Sequence, residues 1–478
     1  MGQDYLPLIQ NYTLEYLKGG VMGYDTLDVA LFKTLEGFSS VDQFMGEHIE
    51  QIMRTTRPFT GEAFYERKDI VAADSWEYER TMLKNTEFMV NTELTIQAIE
   101  RAAGRPNSWG NIVMDALDLL QDDRDWLMKL SAIGDGTGRL GVIKGNTGIT
   151  ESNDTFTVTL DNTYDDFGWD NCWLLRPGMK VDIRNASGVD LGSTCNGLRI
   201  DSVTQGTRST SGYAAVDGTF TFTSTAALIG SGEPLENPDN FIVYLSGSAG
   251  SIATAEMSAG TTASDTTKLM TGLTGIVTDN VIFGSGSHAY FQGRARATHP
   301  ALKSQVTRLN SGVPTDSWDA TTISNVVRNL MIGNYRVKPS DLVILCNSRI
   351  AMAMHNLNIS ATYGGAGGIS VTVPNGQQAF QAVTGSRIAQ AFIAPDGTPI
   401  PIVIDETIPP HYLFVLNKPN FTLYRNGWGF VSDMNTGVWM RTAGGRKLAY
   451  EAPYRGWVQL GVDRCDTCAV LSDLGYNI

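Results

Sequence analysis

The sequence predicts an α+β chain that carries an inserted all-β domain, and three patterns lead to that expectation. A long run at 108–134, SWGNIVMDALDLLQDDRDWLMKLSAIG, has helical spacing. A Thr-, Ser- and Gly-rich block at 150–250 alternates apolar and polar residues, and the last third interleaves helical and strand patterns. With 478 residues, 42% of them hydrophobic and 18% charged, and 50 glycines, the chain can build two or three cores joined by many turns.

Residues 1–53 read as short helices broken at Gly19-Gly20 and Gly37. After Ser39 and Ser40 as caps, Val41, Phe44, Met45, His48, Ile49, Ile52 and Met53 form one apolar stripe, on which His48 reads as a packed histidine rather than a ligand. From Arg57 to Ala98 the period changes to two, through Trp76, Tyr78 and Arg80 and then Phe88, Val90, Thr92, Leu94, Ile96 and Ala98, predicting a long two-stranded excursion. Its middle, YERKDIVAADSWEYER, is too polar to build a core, so it is expected to lie on something else, such as a neighbouring subunit.

The long helix is expected to run from a Ser108 cap to a Gly134 stop, about 39 Å at the usual rise. Ile112, Val113, Ala116, Leu119, Leu120, Leu127 and Leu130 lie near one side, and Asp115, Asp118, Asp122, Asp123 and Asp125 occupy much of the rest. In the β block, Phe156, Val158 and Leu160 alternate with threonines, Met179, Val181 and Ile183 precede the turn Asn185-Ala186-Ser187-Gly188, and Phe220-Thr221-Phe222 and 241–245 follow. A small barrel or sandwich fits, with 246–267 as a linker.

Downstream, Ile323, Val326, Val327, Leu330 and Met331 mark a helix, and 342–346 a buried strand. Asn347-Ser348 caps a second helix with Ile350, Met354 and Leu357. Strands follow at Ile400, Ile402 and Ile404 after the turn Pro395-Asp396-Gly397, at 412–416, at 421–424 and around 448–462.

The chemistry of common active sites does not emerge. Gly136-Thr137-Gly138-Arg139-Leu140-Gly141 matches G-x-G-x-x-G, but it follows a helix where a dinucleotide site follows a strand, so it reads as a helix stop and tight turn. Cys465-Asp466-Thr467-Cys468 lacks a second ligand pair and reads as buried, inert thiols. Asp161, Asp165, Asp166 and Asp170 lack the glycine of a calcium loop. No G-x-S-x-G, H-E-x-x-H or G-x-x-x-x-G-K-[ST] occurs, and His48, His288, His299, His355 and His411 are scattered. We therefore expect no enzyme: no catalytic, cofactor-binding or metal-ligating residue is assigned, and no cofactor.

The 36 basic residues against 50 acidic ones, a formal charge of −14, argue against a broad basic nucleic-acid face, although a container for DNA needs none because counterions neutralise packaged phosphate. The N-terminus MGQDYLPLIQ has no signal-peptide pattern and no run is long enough to span a bilayer, so a soluble, cytosolically made chain that retains its N-terminal segment is expected, without a membrane partner. Cys172, Cys195, Cys346, Cys465 and Cys468, odd in number and scattered, are expected to be free thiols.

The long helix stopped by GDGTGRLG resembles the spine helix and following turn of tailed-phage major capsid proteins. The resemblance extends, in the family's order, to a hairpin-like excursion before the helix, GLTGIVTD at 272–279, FQGRARATHPALKSQV at 291–306 and SDLVILCNSRIAMAMHNL at 340–357. PDGTPIPIVIDETIPPHYLFVL and KLAYEAPYRGWVQLGVDRCDTCAVLSDL complete it. It implies an N-terminal arm at 1–56, an extended loop at 57–99, a spine helix opening the peripheral domain at 100–149 and an all-β insertion domain at 150–250. The peripheral domain would continue with a linker at 251–316, the axial domain would span 317–430, and 431–478 would supply the peripheral return strand and final axial strand.

The same resemblance implies a structural protein that self-assembles as hexamers and pentamers into an icosahedral shell around a double-stranded DNA genome, assembled in the host cytoplasm and resident in the virion. Its expected partners are copies of itself, a portal, scaffolding or decoration proteins, and packaged DNA contacted non-specifically. A cargo-enclosing nanocompartment of the same fold is the alternative, and a carbohydrate-binding hydrolase the rival from another class. Some relatives crosslink through a lysine in the extended loop; Lys68 and Lys84 lie there, and without a demonstrable partner non-covalent assembly is expected. The insertion, absent from the minimal fold, is expected on or near the outer face.

Overall fold

The computed structural model describes residues 31–32, 34, 40–41, 48–54, 78–84, 86–95, 106–145, 148–161, 172, 174–185, 189–208, 215–226, 228–229, 233–235, 238, 241–246, 269–279, 290–291, 294–309, 318–332, 337–354, 391–409, 411–431, 439–441 and 449–475. The fold is α+β, with strands predominating. The excursion's middle up to residue 77, Lys68, Trp76, Ile96, Ala98, the early glycine breaks and all of the linker at 246–267 except Ser246 lie outside these residues.

The long helix, α1, spans Pro106–Ile133. It starts two residues before the expected cap, at a proline whose missing N–H costs nothing in a first turn. Val113, Ala116, Leu117, Leu120, Met128 and Leu130 are buried. Leu119 departs from expectation and is 64% exposed, because it sits a further 100° round the helix from the buried side.

This helix packs on a five-stranded sheet. Its backbone is the 14-residue strand Ala449–Val462, antiparallel to Glu87–Thr95 along one edge and to Phe421–Phe430 and Met440–Arg441 along the other; Ser40–Val41 joins Phe421–Phe430 in parallel. Phe88 and Leu94 face inward while Met89 is exposed, as the two-residue period requires.

The excursion is not one hairpin. Tyr78–Lys84 pairs antiparallel with His48–Arg54, whereas Glu87–Thr95 pairs with Ala449–Val462. The helix expected through 41–53 is likewise corrected: His48–Arg54 is a strand. Ile49 and Met53 are spaced to suit either period, but buried Gln51 between them and exposed Ile52 beside them show period two, set by packing against Leu83 of the partner strand.

The all-β block folds into an antiparallel seven-stranded sheet that begins at Arg139, upstream of residue 150. Its order is Arg139–Val142, Ile242–Leu245, Lys180–Arg184, Leu198–Thr204, Thr219–Thr223, Thr155–Thr159, Ile149–Ser152. The first strand returns to the sixth through the bridge Ile143↔Leu160, with Lys144 N donating to Thr159 O at 3.0 Å and Asp161 N to Val142 O at 2.8 Å, so six strands close into a barrel. Phe156, Val158, Val181, Ile183, Phe220 and Phe222 fill it, and Phe156 stacks on Phe222 at 5.1 Å, worth about 1 kcal/mol beyond burial.

A mixed six-stranded sheet stands between two cores, in the order Gln305–Arg308, Ala469–Ser472, Leu413–Asn417, Leu342–Cys346, Pro399–Ile404, Ala391–Ile393. Helix α2, Ala320–Ile332, buries Ile323, Val326, Val327 and Leu330 beneath it. Its cap is Asp319, whose Oδ1 accepts from Thr322 N at 2.8 Å and from the Thr322 hydroxyl at 2.9 Å, and those bonds hold the carboxyl below its ordinary pKa. Asn347 caps the helical segment 348–354 as expected, accepting from Ile350 N at 3.0 Å.

Candidate functional site

The motif segments at 134–141, 272–279 and 291–302 meet at the C-terminal end of α1. A helix end leaves carbonyls without intrahelical donors, and here they are served from far along the chain. Gly272 N donates to Gly134 O at 2.9 Å and the Thr274 hydroxyl to Ile133 O at 2.9 Å. A Cβ on Gly272 would lie 2.4 Å from the Ala132 backbone, so no other residue fits there without a shift of the helix end. Gly136 and Gly138 turn the chain at φ +86° and +76°, and Asp135 Oδ1 accepts from Thr137 N at 2.8 Å, which fixes the turn into the barrel.

Arg296 locks this cap from the other side. It is 1% exposed, donates from Nη2 to Gly275 O at 2.6 Å and from Nη1 to the carbonyls of Ile276, Thr278 and Leu302, and lies over Phe291 at 4.8 Å. Carbonyl dipoles and a π face thus surround the buried guanidinium. Two residues earlier, Arg294 donates from Nε and Nη2 to Arg80 O at 3.2 and 3.0 Å. One short segment therefore grips both the segment that caps α1 and the strand Tyr78–Lys84.

That strand and His48–Arg54 form a rooted hairpin. Ile49, Gln51, Met53, Thr81 and Leu83 face inward, Gln51 Nε2 donates to Asp463 Oδ1, and Gly461 lets the hairpin approach the long return strand, since a Cβ there would lie 2.7 Å from Gln51 Oε1. Outward, Ile52 is 65% and Tyr78 56% exposed. The neighbouring strand Glu87–Thr95 adds Met89, opposite Arg455, whose guanidinium lies 5.0 Å over the Trp457 ring. Ile52, Tyr78 and Met89 are thus apolar groups left exposed on a firmly anchored scaffold.

Family models give no match to this sequence, and neither do the curated proteins. Among solved structures, a chain of the cyanophage A-1(L) capsid asymmetric unit is similar at TM-score 0.44 and 10% identity, over 94% of this chain and 93% of that one. The capsid of a native GTA particle follows at TM-score 0.38 and 9% identity over 93% and 89%, and the capsid of cyanophage P-SCSP1u at 0.36 and 6% over 91% and 86%. All three are capsid chains.

The glycines at 136–141 lead from α1 into the strand Arg139–Val142 rather than into a helix. Cys465 and Cys468 are buried and outside any disulfide, and burial pushes Cys468 up to about 12, as it does Cys346. Asp165, Asp166, Asp170, His288 and His355 lie outside the described residues, as do the side chains of His48 and Lys84. His411 is buried with Nδ1 2.6 Å from Leu474 O, and no group of three or more metal-type side chains occurs among the described residues.

Sequence reasoning missed three buried polar anchors. Arg124 lies on the buried side of α1, seven residues after Leu117 and four after Leu120, and is 0% exposed; its Nη2 meets Asp125 Oδ1 at 2.7 Å and its guanidinium bonds Tyr454 on the return strand. An arginine in register with an apolar stripe was the available signal. Arg296 and Trp318 carried none, since their partners are backbone carbonyls.

Proposed function

We propose that this chain is the major capsid protein of a tailed phage with double-stranded DNA, assembling as hexamers and pentamers into an icosahedral shell, with no catalytic role. The observation that carries the reading is the rooted hairpin. His48–Arg54 and Tyr78–Lys84 are fixed to the return strand and to Arg294, and they bracket the polar segment 55–77 while exposing Ile52 and Tyr78. A subunit that keeps such a surface in water gains stability when a neighbour covers it. The order of the family-like segments along the chain, and their convergence on the end of α1, support the same reading.

A shell protein must fit different neighbour geometries with one sequence, which calls for stiff bodies and adjustable contacts. The capped helix, closed barrel and six-stranded sheet supply stiffness. The division into arm (1–56), extended loop (57–99), peripheral, insertion and axial regions belongs to this proposal, with the barrel's strands running from Arg139 to Leu245. Portal, scaffolding or decoration proteins and non-specifically held DNA are the further partners, and the virion, assembled in the host cytoplasm, is the location. No described helix is long and apolar enough to cross a membrane.

Expression of the chain alone, followed by electron microscopy and light scattering, tests this. Closed polyhedral shells or rings of five and six are expected; a monomer at all salt and protein concentrations, unchanged by phage partner proteins, overturns it. Particles filled with protein cargo and free of DNA would indicate the nanocompartment alternative.

A further inference from the structure

The strand Ala469–Ser472 is an interior member of the six-stranded sheet, parallel to Gln305–Arg308 on one side and antiparallel to Leu413–Asn417 on the other. It is also the wall between two cores. Val470 packs into the large cluster that includes the barrel and the end of α1, while Ala469, Leu471 and the following Leu474 pack into the cluster beneath α2. The turn before it is stitched in place by Cys465 N and Asp466 N, which both donate to Ala301 O, and by Gln305 N donating to Cys468 O. The segment after it is latched: Trp318 Nε1 donates to Gly475 O at 2.7 Å, His411 Nδ1 lies 2.6 Å from Leu474 O, and Leu474 N donates to His411 O at 3.2 Å.

Both strand partners of this segment among the described residues precede it in sequence. Without it, Gln305–Arg308 loses its sole strand partner among the described residues, Leu413–Asn417 loses one of two, and both cores open along a common side. Unpaired edges and opened apolar faces are poor components of a finished fold. Pairings between segments so distant in sequence also form late, because loop closure must precede them.

We propose that docking of 463–475 is the closing step of folding, a built-in lock that withholds the finished subunit surface until this segment has been synthesised and seated. The barrel, whose strands pair with one another between Arg139 and Leu245, forms while the chain emerges, and the six-stranded sheet waits. The lock is a property of the single chain, so its first test does not depend on the shell reading.

Pulsed hydrogen exchange during refolding of the full chain reads it directly. The amides of 305–308, 413–417 and 469–472 should become protected in one phase with one rate, later than those of α1 and the barrel; protection of 305–308 or 413–417 before 469–472 overturns the proposal. Trp318→Phe keeps the ring but removes the latch donor, so native-state exchange at 470–474 should quicken about tenfold while 156–159 and 219–223 stay unchanged. Unchanged exchange at 470–474 in that variant would equally overturn it.

Discussion

The Thr274 hydroxyl donates to the carbonyl of Ile133 at 2.9 Å across 141 residues of sequence, so the longest described helix is terminated by a segment that follows the inserted barrel in sequence.

Removing that cap should be measurable. Thr274→Val leaves a buried carbonyl without its donor and should cost about 1–3 kcal/mol. Gly272→Ala, which forces a Cβ against the Ala132 backbone, should cost more, about 3 kcal/mol or above. Urea midpoints of the two variants and the parent chain check the order.

Arg296 offers a test of buried charge held by carbonyls. Arg296→Met preserves volume but abandons the carbonyls of Gly275, Ile276, Thr278 and Leu302. A loss of about 3 kcal/mol is expected, with hydrogen exchange rising first at 273–278. Arg296→Lys should recover part of that stability.

The cap of α2 predicts a pH response. Hydrogen bonds from Thr322 lower the Asp319 pKa, so its contribution is complete above the ordinary carboxylate pKa and is lost as pH falls through the lower, folded value. Asp319→Ala should cost about 1 kcal/mol near neutrality. The difference from the parent chain should shrink in acid, read as exchange protection of 323–332 on descent from pH 6 to pH 2.

The thiols should be silent in the folded chain. All five are buried, and Cys346 and Cys468 are held up at about 12. A thiol reagent at pH 8 should label none rapidly under native conditions and all five in denaturant.

The hairpin separates folding from assembly. Thr81 and Leu83 are buried, so a deletion reaching residue 85 would damage the core, whereas replacing 55–77 with a short turn should leave the melting profile near that of the parent chain. Shells should no longer form, as seen by light scattering. Intact shells from that variant would remove the hairpin excursion from the assembly mechanism.

Strong local patterns made much of this architecture legible. The run at 108–134, the Phe-Thr-Phe alternation and the Asn347 cap each fix their own element through spacing or hydrogen bonding within a few residues. Pairing partners were not legible, because a period of two states which residues share a face and nothing about which strand lies alongside. Tyr78–Lys84 and Glu87–Thr95 show this: adjacent in sequence, they join different sheets. His48–Arg54 shows the second limit, since Ile49 and Met53 satisfy both periods and the deciding contacts come from Leu83 and Gly461. The junction at the end of α1 was visible as short motifs but not as one place, because backbone carbonyls leave no trace in the residue code.

The barrel enters through Arg139–Val142 and leaves through Ile242–Leu245, two strands that lie side by side with Ile242 opposite Val142. A module whose two ends are neighbours can be exchanged without re-routing the chain around it. The same doorway that admits this barrel could accept a bare turn or a foreign domain, which makes positions 143 and 241 the natural splice points for grafting and the place where diversification of this chain would cost its core least.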